Sequence, residues 1–357
     1  MSQPELPPSL FNSTPWNSAP EAIWVNSSMI LRRNLARYSF PSKLEKGEAE
    51  QVSQALTGAL KKVPSLETSI QIPQTQLSTN DRDLLLEHFL LMHGFPDSPN
   101  GASVILDKES SFLAVVNGEN HLEMRVLCVG SEWEEKWNYL TGIEDQISKA
   151  EGYAFSPKFG YLTADPAQCG TGLTIHAFLH LPALIHTDQI DTALTNAEED
   201  EVFFTGITGN IDDPIGDLIV IQNNFTIGMS EESILHAIQT AATKLIGAEK
   251  TMRTHLKADK PIQIKDLVSK AYGLLVHSYQ LKAKEALNLI SMMKLGLELG
   301  YVEGVNDEKL NNLFFNCRRG HLSHHFPDLK DPEELSHKRA DYLQQELEGL
   351  KLSEEMQ

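Results

Sequence analysis

The stretch GYAFSPKFGYLTADPAQCGTGLTIHAFLHLPAL, residues 152–184, decides the fold. Its later part, Thr174 to Leu181, is an apolar-rich run that reads as a strand. The preceding turn, Gly170-Thr171-Gly172, is not a Walker phosphate loop, because no Gly-Lys-Ser/Thr follows it. Asp165-Pro166 reads as a turn starter. Cys169 offers either a loop thiol or a small packing group.

Upstream lie three strand-like runs between Ser103 and Val129: SVILD, SFLAVVNG and HLEMRVLCV. In the third, Leu122, Met124, Val126 and Cys128 alternate with Glu123, Arg125 and Leu127, so one face is buried and the other can line a cleft. Helical spacing marks a segment from Glu48 (Val52, Ala55, Leu56, Ala59, Leu60), a short helix from Asp81 to Met92, and longer ones at 132–150 and 231–255. A further strand is expected over 217–227. This order suits an α+β fold, an antiparallel sheet backed by helices. After about Ala258 the strands stop, and 265–301, 306–317 and 332–350 read as helices. The expected division is a loose proline-rich arm (1–20), a sheet-bearing domain (21–257) and an all-helical domain (258–357).

A formal charge of -19 argues against a nucleic-acid surface or an anionic membrane as partner, since both want clustered Lys and Arg. No run of about 18 apolar residues is present, and the amino terminus lacks the basic start of a secretory signal. Three scattered cysteines, Cys128, Cys169 and Cys317, have no metal spacing and suit a reducing compartment, so the cytoplasm is expected. His321, His324 and His325 in GHLSHHF read as an exposed loop, and no metal site is expected.

The frame Gly160-Tyr161-Leu162-Thr163, Pro166, Gly170-Thr171-Gly172 and His180-Leu181-Pro182-Ala183-Leu184 resembles the signature loop of the phosphagen (guanidino) kinases. There the loop reads Cys-Pro-x-Asn-x-Gly-Thr-Gly before a strand carrying an arginine. Here Asp165, Gln168 and Thr174 stand at the cysteine, asparagine and arginine positions. The segment from Asp266 to Val302 resembles the helical carboxy-terminal domain of the bacterial protein-arginine kinases, which implies dimerisation through these helices. The resemblance also implies ATP and Mg2+ as cofactors, proteins with exposed arginine as substrates, and a small zinc-binding activator protein.

Phosphoryl transfer to a guanidinium needs cations for the triphosphate, a carboxylate for the guanidinium and a closing loop. The family takes its carboxylate from Asn-Glu-Glu-Asp-His-Leu-Arg, matched here by Asn117-Gly118-Glu119-Asn120-His121-Leu122-Glu123. The resemblance marks Glu119 as the catalytic base, although a solvated turn glutamate would look the same. Asp165 could hold a guanidinium through a two-pronged hydrogen bond. The nucleotide clamp is altered: Ser27-Ser28-Met29-Ile30-Leu31 replaces Ser-Ser-Arg-x-Arg, and Glu123 replaces an arginine. Five family arginines are absent in all. Arg125, on the same strand face as Glu123, and Arg32 or Arg33, presented by a bulge, are the candidate substitutes, with Ser28 and His176 completing the nucleotide set. Each arginine also reads as an ordinary surface cation. A negative charge in place of a positive one at about 5 Å from a phosphate costs several kcal/mol at an effective dielectric near 20. Near the carboxy terminus, Arg339 and Ala340 are what remains of a phosphoarginine-binding Arg-Asp-x-x-Arg-Ala motif.

Two functions follow. One is an ATP-dependent phosphotransferase acting on protein arginine. The other is a catalytically silent scaffold that keeps the frame and binds partners through its helices.

Overall fold

The computed structural model describes residues 6–12, 14–16, 22–91, 101–129, 132–329 and 331–356. The strands are β1 (Trp24–Arg33), β2 (Ile70–Pro73), β3 (Ser103–Leu106), β4 (Phe112–Val116), β5 (Leu122–Cys128), β6 (Phe155–Ser156), β7 (Gly160–Tyr161), β8 (Leu173–His180), β9 (Val202–Gly206), β10 (Leu218–Asn223), β11 (Val302–Glu303) and β12 (Lys351–Leu352). The helices are α1 (Ser9–Asn12), α2 (Lys46–Leu60), α3 (Thr79–Glu87), α4 (Trp133–Ala150), α5 (Pro182–His186), α6 (Ile190–Ala197), α7 (Glu231–Asp259), α8 (Ile262–His277), α9 (Ala283–Glu298), α10 (Asp307–Asn316), α11 (Arg319–His325) and α12 (Pro332–Glu346).

Eight strands form one sheet in the order β2-β3-β4-β5-β1-β8-β10-β9. The pairs from β2 through to β1 are antiparallel. With its flanking helices this is the α+β architecture expected from the sequence. The chain divides into two compact units. One comprises Met1–Pro15, Asn26–His176 and Gln222–Ile238; the other comprises Trp16–Val25, Ala177–Ile221 and Gln239–Gln357.

In the first unit, β1 is buried at every position after Trp24. A strand covered on both faces is read from a continuous apolar run, and here Asn26-Ser27-Ser28 and Arg32-Arg33 interrupt that run, so no strand is expected from the sequence. Helix α2 packs Val52, Leu56 and Leu60 inward, as their spacing predicts, and contacts α4 and β4. Helix α3 starts where Ser78 accepts from Asp81 N–H and the Asp81 carboxylate accepts back from Ser78 N–H. It stops at Glu87 rather than continuing to Met92, which lies outside the described residues. Phe89 adopts a left-handed φ of 60°, and the Leu90 and Leu91 N–H groups both turn back to Leu85 O. Much of the expected amino-terminal arm also lies outside the described residues; within the rest, Leu10 is buried and the Ser9 hydroxyl donates to Lys108 O.

The second unit is helical around α9, whose Ile290 and Met293 are buried among α8 and α10. The two-residue ladder of β11 and β12 interrupts the expected all-helical run. Here the His180-Leu181-Pro182-Ala183-Leu184 segment is explained by packing. The Glu249 carboxylate accepts from the Ala183 and Leu184 N–H groups in the first turn of α5, and also from Arg253, which itself donates to His180 O. His180 Nε2 pairs with Ser291 Oγ at 2.7 Å, and Ser291 donates to Asp217.

Steric demand likewise accounts for the glycines of the signature loop. Gly170 has a φ of +102°, and a Cβ there would lie 2.2 Å from Thr226 O. Gly172 has a φ of +63°, and its Cβ would lie 2.8 Å from Arg32 O. The Thr171 N–H donates to Thr226 O, and the Arg32 N–H donates to Gly172 O. The loop is therefore threaded between two stretches of backbone that only glycine can approach this closely. Gly170→Ala is expected to destabilise the protein by about 2–3 kcal/mol or more, through enforced left-handed geometry and backbone displacement. Chemical denaturation checks this, since an unchanged midpoint contradicts the steric assignment.

Candidate active site

Strand register builds the site. In the β1–β5 ladder Arg32 faces Glu123 and Ile30 faces Arg125, so Ser28, Ile30 and Arg32 share one face with Leu127, Arg125 and Glu123. Glu123 Oε2 lies 3.2 Å from Arg32 Nε, and Glu123 Oε1 lies 3.1 Å from Arg125 Nη2. Arg32 Nη1 donates to Thr174 Oγ1 at 2.7 Å, which brings β8 into the cluster. Arg125 is 1% exposed and Arg32 is 8% exposed, so neither is an ordinary surface cation. Both faces of β5 are covered, and the Glu123 side chain alone keeps about a quarter of its surface, 24%.

Charge and burial set the protonation states. Burial pushes the Glu123 carboxyl up, but the Arg32 and Arg125 guanidiniums outweigh it and hold the group below its ordinary value. Arg125 is lowered to about 10, by burial first and by the charge of Arg32, against the opposing pull of Glu123. His176 is lowered to about 3 by burial and by the positive charges of Arg125 and Arg32, and is neutral at physiological pH. Ser28 Oγ, Arg125 Nε and His176 Nδ1 are buried without a hydrogen-bond partner. The unpaired Arg125 Nε–H and Ser28 hydroxyl beside two cations fit an anionic ligand.

Arg33 departs from its sequence expectation. β1 carries no bulge at Arg32-Arg33, because Arg33 continues the ladder opposite Leu122. Alternation therefore sends it to the other face. There it donates to Glu144 Oε1 at 2.7 Å and to Thr171 O at 2.8 Å, and it stacks 3.6 Å from the Tyr161 ring centroid. Its Nε and Nη1 donors and one face of the guanidinium are engaged by the frame, on the side of β1 away from the Arg32 cluster.

The two carboxylates proposed for the guanidinium sit on loops that are tied together. Asn117 N–H donates to His121 O and closes the turn that exposes Glu119. Asn120 Oδ1 accepts from both Asn34 Nδ2 and the Ala164 N–H, at 2.7 and 2.8 Å. Glu119 and Asp165 are the chain neighbours of these bonded residues, so the Asn120 amide brings their loops side by side. Asp165 is exposed and caps its own turn, accepting from Ala167 N–H at 3.0 Å. Cys169 is buried and accepts from Thr163 N–H at 3.4 Å, which is a packing role. The sequence reading missed Asn34, Asn120 and Glu144; an Asn at a buried strand end gives no signal until its partner loops are known.

Arg339 and the histidine segment lie in the second unit. Arg339 is buried and donates to Cys317 O and Leu281 O. The GHLSHHF segment, expected as an exposed loop, forms helix α11 with His321 buried. Its burial follows from Leu322 and His321 falling on the inward face of the helix.

His121 supplies a pH handle on the loop that carries Glu119. Leu35 N–H donates to His121 Nδ1 at 3.0 Å, which fixes the neutral ring, and burial lowers its pKa to about 4 from 6.5. Between these values the unfolded chain binds the proton and the folded chain does not. Stability is therefore full above pH 6.5 and falls as the pH drops toward 4, by about 3 kcal/mol for this group. His176 adds to the same slope. His121→Asn, which keeps an acceptor and removes the titration, is expected to flatten the decline measured by denaturation from pH 7 to 4.

Comparison with known proteins bears on this geometry. The family model described as ATP:guanido phosphotransferase, C-terminal catalytic domain, matches residues 50–252. A second, described as Protein-arginine kinase McsB C-terminal domain, matches residues 261–357. A protein-arginine kinase of Chlamydia pneumoniae is 30% identical over 92% of this chain and 92% of its own. That of Brevibacillus brevis is 29% identical over 94% of this chain and 97% of its own. Among solved structures, a lombricine kinase superposes with a TM-score of 0.57 at 19% identity, covering 71% of this chain and 73% of that one. The duplicated taurocyamine kinase of Schistosoma mansoni also gives 0.57, at 22% identity, over 70% of this chain and 36% of that one.

Proposed function

Because the chain belongs to the ATP:guanido phosphotransferase family, in its protein-arginine kinase branch, we propose that it transfers the γ-phosphoryl group of ATP to arginine guanidiniums of proteins. The carrying observation is the convergence of Arg32 and Arg125 on one sheet face, within the same unit as the two tied loops that bear Glu119 and Asp165. In this reading Arg32 and Arg125 hold phosphate oxygens, with Ser28 Oγ and the neutral His176 ring as further partners. Bound Mg2+ supplies charge neutralisation across the phosphates. Glu119 accepts the guanidinium proton as the nitrogen attacks, and Asp165 orients the group from the neighbouring loop.

The same proposal takes residues 21–257 as the phosphotransferase domain and 258–357 as the helical domain through which the protein dimerises. It includes a zinc-binding activator protein as partner, resting on family likeness, and the cytoplasm as location, resting on the three scattered cysteines. Arg33 is left out of the nucleotide set, being committed to Glu144 and Thr171. The phosphoarginine role of Arg339 is likewise set aside, because its donors are turned to backbone carbonyls.

One observation favours the second reading, a silent kinase-fold scaffold: Glu123 already pairs with both candidate phosphate-binding cations. The two readings separate cleanly. Incubation with Mg-ATP and an arginine-bearing protein, alone and with the activator, is expected to give acid-labile phosphoarginine detectable by mass spectrometry. Glu119→Gln is expected to abolish it without shifting the unfolding midpoint, because the side chain is exposed. Arg125→Ala is expected to lower turnover by about 10²-fold. If no phosphoarginine forms under any of these conditions, the scaffold reading stands.

A further inference from the structure

We propose that Glu123 is an internal anion that occupies the phosphate-binding position between Arg32 and Arg125, so that a polyphosphate enters only by displacing its carboxylate. This rests on the reading of the Arg32–Arg125 face as the nucleotide site. Each carboxylate oxygen of Glu123 takes a different guanidinium, at 3.2 and 3.1 Å, and two phosphate oxygens would be gripped the same way. The grip is incomplete. Arg125 Nε has no acceptor, its Nη1 reaches Phe89 O only at a long 3.4 Å, and Ser28 Oγ and His176 Nδ1 are buried without partners. A carboxylate has two oxygens and cannot satisfy this set, whereas a polyphosphate offers more acceptors.

Glu123 is also placed to leave. Its side chain keeps 24% of its surface, against 1% for Arg125, so the carboxylate can rotate toward water while the guanidiniums stay fixed. Arg32 remains anchored through Thr174 Oγ1 when the carboxylate departs. With Glu123 in place the cluster carries one net positive charge, and with it displaced or neutralised the cluster carries two. Affinity for a polyanion follows this local charge. The site is thereby biased toward the empty state by a side chain of its own strand, and anything that draws Glu123 outward, such as a basic partner surface, opens it.

The test is calorimetric titration of the full chain with inorganic tripolyphosphate at low salt. Glu123→Gln is expected to bind at least about tenfold more tightly than the wild type, and the gain is expected to vanish in the Glu123→Gln, Arg125→Met double variant. Unchanged affinity in Glu123→Gln overturns the proposal, and so does a gain that survives the loss of Arg125, because it would then be a general charge effect. Should Glu123→Gln fail to fold, Glu123→Asp carries the test. It keeps the charge but is one methylene too short to reach both guanidiniums, so a gain of a few-fold supports the displacement and no gain refutes it. The readout needs no turnover. Absence of phosphoarginine would sink the kinase reading and leave this inference standing, while unchanged tripolyphosphate affinity sinks the inference even if phosphoarginine forms.

Discussion

Two consecutive arginines on a buried central strand impose the constraint around which the first unit is organised. A strand sends neighbouring side chains to opposite faces, so Arg32 and Arg33 enter different environments and each must find a carboxylate. Arg33 finds Glu144 on α4, and Arg32 finds Glu123 on the adjacent strand. The first pair joins helix to sheet and carries the Tyr161 ring with it. The second forms a cluster with Arg125 and Thr174 on the face where an anion could bind. The same chemistry, applied twice on opposite sides of one strand, yields a structural bolt and a buried cation cluster.

The parts of this arrangement that are legible in the sequence are those with a local period or an unbroken apolar run. β5, α2 and α4 follow from alternation or three-to-four spacing, β4 from its continuous apolar run, and the antiparallel α+β class follows from their order. β1 is not legible, because it shows no alternation and its Asn26-Ser27-Ser28 and Arg32-Arg33 also break the apolar run by which an all-buried strand is read. That single omission explains the misplacement of Arg33: without a strand, a bulge at Arg32-Arg33 was as plausible as a regular ladder. The placement of Arg125 on the face of Glu123 was legible, since both lie on an alternating strand. Their direct pairing was not, because it depends on Arg32 arriving from a strand about ninety residues away in the chain.

Motif retention and chemistry separate here for a physical reason. Gly170 and Gly172 face backbone atoms at distances no Cβ tolerates, and His180 to Leu184 are held by Glu249, Arg253 and Ser291. Substitution at these positions costs stability whatever the protein does. The survival of the Gly-Thr-Gly turn and the His-Leu-Pro-Ala-Leu segment thus identifies the fold and carries little weight on catalysis. Family likeness over most of the chain and intact glycines answer one question, while the cation cluster answers another.

A ligand position, in contrast, is held only by its neighbours' need for neutrality. Once a carboxylate stands at 123, the two guanidiniums beside it are satisfied internally, and burial of Arg125 no longer requires a bound phosphate. The unpaired polar atoms Arg125 Nε, Ser28 Oγ and His176 Nδ1 show that this internal solution is partial. A scaffold under no demand for anion binding would gain stability by filling these donors or replacing them with apolar groups, since buried unsatisfied donors each cost about 1–3 kcal/mol. Their persistence beside two buried cations is therefore more readily explained by a site that still admits an anion than by one that has closed, and this argument favours a gated phosphotransferase over an idle cleft.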